Sequence, residues 1–102
     1  MTRGRNEYYE ATLQLRPYDE EVINYVKRHM ELNQVSIAKE TKTKYGVDLN
    51  ITSKKFAVQI GKKLKSRFGG TIKLSKSVHK FDKSASRNLF RVTVCFRLTK
   101  PL

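Results

Sequence analysis

The sequence is poor in the residue types from which disulfides, metal centres and membrane spans are built. It has one cysteine, Cys95, so no disulfide can form within the chain and a zinc site built from cysteines is excluded. Its two histidines, His29 and His79, are 50 positions apart, which matches no known zinc spacing. No apolar run is long enough for a secretory signal or a membrane span. We therefore expect no metal, no cofactor and a reducing, cytoplasmic environment.

Acidic residues are also scarce, and their placement argues against catalysis. Asp19, Glu20 and Glu21 form the densest group, but negative charge is favourable at a helix N-terminus, which explains this group. No glycine-rich loop opens a predicted helix, so a nucleotide-phosphate site is not expected. Cys95 lies in an apolar stretch, which predicts a small buried side chain instead of a reactive thiol. The sequence thus predicts a protein that is not an enzyme, with no catalytic residues and no small-molecule substrate.

What the sequence has in excess is positive charge. Lysine and arginine number 22 against 9 acids, which gives a formal net charge of +13. So much charge of one sign repels itself in the folded state, and its usual partner is a polyanion such as nucleic acid. A membrane surface would instead require a basic amphipathic helix with large exposed apolar residues, and the sequence contains none. We therefore predict a nucleic-acid partner and no membrane partner.

The periodicity of apolar residues predicts seven secondary-structure elements. They are a strand over 8–16, a helix over 18–31, a hairpin over 34–52 that turns at Tyr45-Gly46, a helix from a cap at Thr52 or Ser53 to Gly69-Gly70, and strands over 71–78 and 89–98 joined by a long exposed loop. A helix is the alternative for the start of the 34–52 segment. The order β-α-β-β-α-β-β predicts an α+β fold with two helices packed on one face of a mixed or antiparallel sheet. We expect a flexible basic tail over 1–6 and a single domain over 7–100.

The candidate nucleic-acid contacts are the cations of the second half of the chain, where Asp82 is the only acid after Ile51. They are Lys54, Lys55, Lys62, Lys63, Lys65, Arg67, Lys73, Lys76, Lys80, Lys83, Arg87, Arg91 and Arg97. Strand alternation assigns Lys73, Arg91 and Arg97, together with Arg16, to the sheet face opposite the helices. Lysines on a solvent-facing helix often serve solubility alone, but that does not explain why acids are nearly missing over this length.

Aromatic side chains decide whether bases can be read by stacking, because stacking needs exposed rings. The candidates are Tyr8, Tyr18, Tyr45 and Phe81. We expect the three tyrosines to pack on the core and Phe81 to be exposed. Recognition of the phosphate backbone and of shape is therefore favoured over recognition of sequence. From charge alone the alternatives remain a small chromatin-like DNA-binding protein and a protein-interaction domain.

Five stretches of the sequence, in this order, resemble the middle region of the archaeal and eukaryal Nmd-three family. They are YYEATLQLR (8–16), GVDL (46–49), SKKFA (53–57), FGG (68–70) and FRVTV (90–94). The family is the export adapter of the large ribosomal subunit in eukaryotes, and the resemblance runs from about residue 8 to residue 98. It implies a domain that looks like a small ribosomal protein and docks on ribosomal RNA or on the large subunit.

Family members also carry an N-terminal zinc region with paired Cys-X-X-Cys motifs and a further β-rich domain. This sequence contains neither feature. The resemblance therefore carries over only the docking on RNA or the ribosome, and not the roles in export, subunit joining or subunit release.

Overall fold

The fold is a five-stranded sheet with two helices on one of its faces. The computed structural model describes residues 9–82 and 87–99, and of residues 77–82 and 87–89 it describes the backbone only. The elements are β1 (Ala11–Arg16), α1 (Glu20–Leu32), β2 (Ile37–Thr43), β3 (Gly46–Ile51), α2 (Lys54–Phe68), β4 (Thr71–Asp82) and β5 (Arg87–Arg97). The strand order in the sheet is β2-β3-β1-β5-β4, with β1 and β5 parallel and the other neighbours antiparallel. The predicted α+β class, the order of elements and the mixed sheet are confirmed.

Strand β1 lies at the centre of the sheet, and its alternating sequence fits that place. Leu13 and Leu15 are fully buried, whereas Gln14 between them is only partly buried on the other face. Leu13 pairs with Leu49 of β3 and with Val94 of β5. Paired residues lie on the same face of a sheet, so these three side chains form a continuous buried row.

Both helices bury an apolar stripe against this row. The buried residues of the helices are Val22, Ile23, Val26 and Met30 of α1, and Phe56, Ala57, Ile60, Gly61 and Leu64 of α2. They recur every three or four positions, so they lie on one side of each helix. Full burial of one such large apolar side chain contributes about 1.5–3 kcal/mol, and together with the strands these residues form one core.

The ends of the helices are set by local hydrogen bonds. The Asp19 carboxylate accepts a hydrogen bond from the backbone N–H of Val22 at 3.1 Å, and Ser53 Oγ accepts one from the N–H of Phe56 at 3.1 Å. Each such cap stabilises a helix by about 0.5–2 kcal/mol. Gly69, with a φ of 79°, follows α2 as the sequence predicts. Of the two candidate caps for α2, the structure selects Ser53.

Helix α2 comes very close to β5 at Gly61. A Cβ atom on Gly61 would lie 2.8 Å from Cγ1 of Val94, which is closer than side chains tolerate. A glycine inside a helix costs about 1 kcal/mol relative to alanine. The close approach of α2 to β5 explains why glycine occupies this position despite its cost to the helix.

The last hairpin is longer than the sequence predicts. We expected an exposed loop over 79–88, but β4 and β5 remain paired through Phe81↔Asn88 and Asp82↔Arg87. That part of the prediction is wrong because β4 is an edge strand. An edge strand needs one neighbour only, so a polar sequence can remain in the ladder without apolar alternation.

Cys95 is not the buried side chain that the sequence predicts. It is a free thiol of intermediate exposure, and it pairs with Gln14 and Lys73 on the face opposite the helices. Its neighbours Val94 and Phe96 take the buried positions. The prediction is wrong because Cys95 follows the strand alternation and not the average hydrophobicity of the segment.

Two other expectations concern the N-terminal tail and membrane-spanning segments. The predicted tail over 1–6 lies outside the described residues. Within the residues that are described, no helix is long and apolar enough to cross a membrane.

Candidate nucleic-acid interface

Helix α2 carries the largest group of exposed cations. They are Lys54, Lys55, Lys62, Lys63, Lys65 and Arg67, all of which are exposed to solvent. Because an α-helix has about 3.6 residues per turn, Lys55 and Lys62 lie on the side directly opposite the buried stripe. Lys63 and Arg67 lie on one flank of the helix, and Lys54 and Lys65 on the other. The six residues are spread around the exposed side of α2, from the flank of Lys54 and Lys65 to the flank of Lys63 and Arg67, and we call this set the helix face.

The positive charge of the helix face is not neutralised by neighbouring acids. Helix α2 contains no acidic residue. Two ion pairs occur among the described residues, Arg16 with Asp48 and Lys27 with Glu40, and neither involves α2. The carboxylate of Glu10 accepts the backbone N–H of Lys54 at 3.0 Å, at the start of the helix. The lysine ammonium groups thus remain available to a polyanion.

The junction between α1 and α2 adds an aromatic and cationic cluster to this face. The ring of Tyr25 meets Phe68 edge-on at 5.5 Å and lies 4.4 Å from the ring of His29. The guanidinium of Arg67 lies 5.4 Å from the Tyr25 ring centroid, which holds it by a cation–π contact. Burial, and then the positive charges of Lys63, Arg28 and Arg67, lower the pKa of His29. Burial is the larger cause, and the contribution of the three cations agrees with their closeness to the imidazole ring.

Lys76 of β4 extends the helix face beyond α2. It pairs with Val92 on the side of the sheet that carries the helices, and its ammonium lies 5.6 Å from the centroid of the exposed Phe90 ring. A shallow hollow of about 240 Å³ next to it is lined mainly by the apolar side chains of Val58, Leu74 and Val92. Of the candidates on the last hairpin whose side chains are described, Lys76 is the one that joins the α2 group.

The remaining described candidates lie on the opposite side of the molecule. Lys73, Arg91 and Arg97 share the polar sheet face with Arg16, as strand alternation predicts. Two of these four cations are engaged within the fold. Arg16 Nη2 lies 2.7 Å from Asp48 Oδ1, and the guanidinium of Arg91 stacks on the Tyr9 ring at 3.7 Å while donating to its hydroxyl and carbonyl oxygens. The candidate residues therefore do not form one surface.

Three candidates cannot be assigned to either surface. Lys83 lies outside the described residues, and Lys80 and Arg87 have a described backbone but no described side chain. The same holds for Phe81 and His79, and Tyr8 lies outside the described part of the chain. Their roles in RNA binding remain predictions.

A family model matches nearly the whole chain. Residues 8–98 correspond to the model described as NMD3, second domain, which is the Nmd-three family of the resemblance. The chain belongs to the NMD3 family. No curated protein matches it. The family is one of adapters in the biogenesis and export of the large ribosomal subunit.

Two exposed tyrosines of this NMD3 domain contradict the sequence prediction. Tyr18 is 50% exposed and Tyr45 is 64% exposed, although we expected both rings to pack on the core. Each lies next to a lysine, with Lys42 Nζ 5.8 Å from the Tyr18 centroid and Lys44 Nζ 5.4 Å from that of Tyr45. Their positions give the missed signal, because Tyr18 precedes the helix cap and Tyr45 occupies a turn, so neither continues an apolar stripe.

Metal chemistry finds no support in the described part of this NMD3 domain. No group of three or more histidine, cysteine, aspartate or glutamate side chains there is placed to hold a metal ion. What the described residues offer is an array of cations with a few aromatic rings, which suits binding of phosphate and bases.

Proposed function

We propose that this domain is a non-catalytic RNA-binding module that docks on ribosomal RNA of the large subunit through the helix face. The observation that carries the proposal is the set of six exposed cations on α2, a helix that contains no acidic residue and takes part in neither ion pair of the described residues. Membership of the NMD3 family supports ribosomal RNA as the polyanion. We also propose that the protein is cytoplasmic, and the free thiol of Cys95 is compatible with that reducing compartment.

The binding energy comes chiefly from release of counterions. Each phosphate that a lysine or arginine neutralises releases condensed cations from the RNA, so affinity falls as salt rises. Lysines on flexible stems suit this role because they follow phosphates without demanding one geometry. We expect the helix face to dominate, since part of the opposite face is already committed to Asp48 and Tyr9. Contacts of this kind position the domain on a folded RNA without reading its sequence.

A pair of charge reversals tests which face binds. Lys62→Glu with Lys63→Glu changes the helix face, and Lys39→Glu with Lys73→Glu makes the same change in net charge on exposed residues of the opposite face. We expect the first pair to weaken binding to structured ribosomal RNA and to reduce the salt slope by roughly 1.4–1.8, because each of two phosphate contacts contributes roughly 0.7–0.9 to the slope. The second pair should have a much smaller effect.

The measurements are RNA affinity over a range of salt and co-sedimentation with large ribosomal subunits, with thermal melting to show that each variant folds. Equal losses from the two pairs would mean that only the net charge matters and that the helix face is not the site. Tighter binding to duplex DNA than to ribosomal RNA at matched salt would favour a chromatin-like DNA-binding function. An RNA affinity that does not respond to salt would instead favour a protein-interaction domain.

A further inference from the structure

A separate pocket lies at one end of the sheet, where β1 and β5 end beside the turn between β2 and β3. It has a volume of about 570 Å³. It is lined by Arg16, Pro17, Lys44, Tyr45, Arg97 and Leu98, together with Thr99. Small-ligand sites commonly enclose ~300–1,000 Å³, so the pocket has room for one nucleotide.

The walls of the pocket are held by hydrogen bonds within the fold. Arg16 Nη1 donates to the carbonyl oxygens of Leu15 at 3.2 Å and Val47 at 3.3 Å, and its Nη2 pairs with Asp48 at 2.7 Å. The backbone N–H of Leu98 donates to the carbonyl oxygen of Arg16 at 2.7 Å, which fixes the end of β5 against β1. These walls of the pocket are therefore held in place before any ligand binds.

The turn that carries Tyr45 is also fixed. Thr43 Oγ1 accepts the N–H of Tyr45 at 3.1 Å and donates to the carbonyl oxygen of Gly46 at 3.3 Å. Gly46 has a φ of 154°, and a Cβ there would overlap the carbonyl oxygen of Leu15. A residue other than glycine would thus push the turn off β1. The turn holds the Tyr45 ring at the pocket, where it is 64% exposed.

The charged side chains at the pocket differ in whether they already form an ion pair. Asp48 is already bound to Arg16, whereas Lys44 and Arg97 are exposed and make no ion pair among the described residues. Two exposed cations next to an exposed ring suit a nucleotide, since the phosphate can be neutralised while the base stacks on an aromatic face. Lys44 Nζ lies 5.4 Å from the Tyr45 centroid, so one of the two cations already stands beside the ring.

We infer that this pocket binds one unpaired RNA nucleotide, with its base against Tyr45 and its phosphate between Lys44 and Arg97. The inference rests on the proposed function, because it names the part of the RNA that the domain takes up away from the helix face. The domain then recognises a folded RNA at two places, through phosphates along α2 and through one extruded base at the end of the sheet.

The test compares two RNAs of equal length, a hairpin with an unpaired loop and a fully paired duplex. Tyr45→Leu should lower the affinity for the hairpin about tenfold, as expected for the loss of one base–aromatic stack, and leave the affinity for the duplex unchanged. Tyr45→Phe keeps the ring and should bind as the parent does. Tyr18→Leu is the matched control, because Tyr18 is half exposed but does not line the pocket. A loop containing 2-aminopurine reports stacking directly by its loss of fluorescence.

The outcomes separate the inference from the function on which it rests. If Tyr45→Leu binds the hairpin as the parent does, while the reversal of Lys62 and Lys63 weakens both RNAs, the pocket inference is wrong and the proposed function stands. If the parent protein binds neither RNA, the proposed function itself fails. Displacement of the hairpin loop by AMP at the concentration of the RNA would show a site for free nucleotides, which also contradicts the inference.

Discussion

Replacing Gly61 by alanine has two opposing effects on the stability of the fold, and each has a known typical size. Alanine in place of glycine inside a helix stabilises the fold by about 1 kcal/mol. The new methyl group would lie 2.8 Å from Cγ1 of Val94, a fully buried side chain whose branched Cβ leaves it little freedom to rotate away. Overpacking of a core costs about 1–3 kcal/mol. We therefore expect the steric cost to win and the domain to lose about 1 kcal/mol of stability.

Urea unfolding followed by far-ultraviolet circular dichroism measures this difference. In a domain of about 100 residues, a loss of 1 kcal/mol also lowers the Tm by about 4–8 °C. The same change made in a Val94→Ala background should reverse its sign, because the cavity left by the valine accepts the methyl group and only the helix preference remains. If Gly61→Ala stabilises the parent protein, α2 does not approach β5 as closely as described, and the explanation given for Gly61 is wrong.

Two further predictions concern pH and the core. The pKa of His29 is lower in the folded protein, so the unfolded chain binds its proton more readily, and stability that is present above pH 6.5 is lost as the pH falls from 6.5 through the folded pKa. Melting temperatures of the parent and of His29→Gln between pH 8 and pH 5.5 should diverge in that window, and parallel curves would contradict it. Phe96→Ala should cost about 3–5 kcal/mol because Phe96 is fully buried, whereas Phe90→Ala, at a ring that is 41% exposed on the same face of the sheet, should cost far less in the same urea titration; similar losses would contradict the difference in burial between the two rings.

Much of the fold is predictable because its central elements follow simple periodicities. Leu13 and Leu15 alternate with polar residues in a strand with neighbours on both sides, and Asp19 stands where a helix cap is needed. The continuation of β4 and β5 past Val78 was missed because an edge strand need not carry an apolar row. Tyr18 and Tyr45 were assigned to the core on residue type alone, although both positions fall outside the periodic stripes.

The candidate site was predictable only as a set of cations. The sequence shows that the second half of the chain is basic, but it does not show which cations share a surface. That depends on the side of the sheet to which α2 packs and on the register that places Lys76 on the same side as α2 and Lys73 on the other. The pocket at Tyr45 could not be found from local sequence, because Arg16, Lys44 and Arg97 come from three separate segments.

The parallel pairing of β1 with β5 makes the first described strand dependent on the last. Ala11 aligns with Val92 and Leu15 with Phe96, so contacts at the middle of the sheet join the two ends of the described chain. Contacts between such distant positions carry a high entropic cost of loop closure and slow the folding of a domain. During translation, one edge of β1 therefore has no partner strand until β5 has been synthesised. The domain acquires its core, and with it the support for α2, only at the end of its own synthesis.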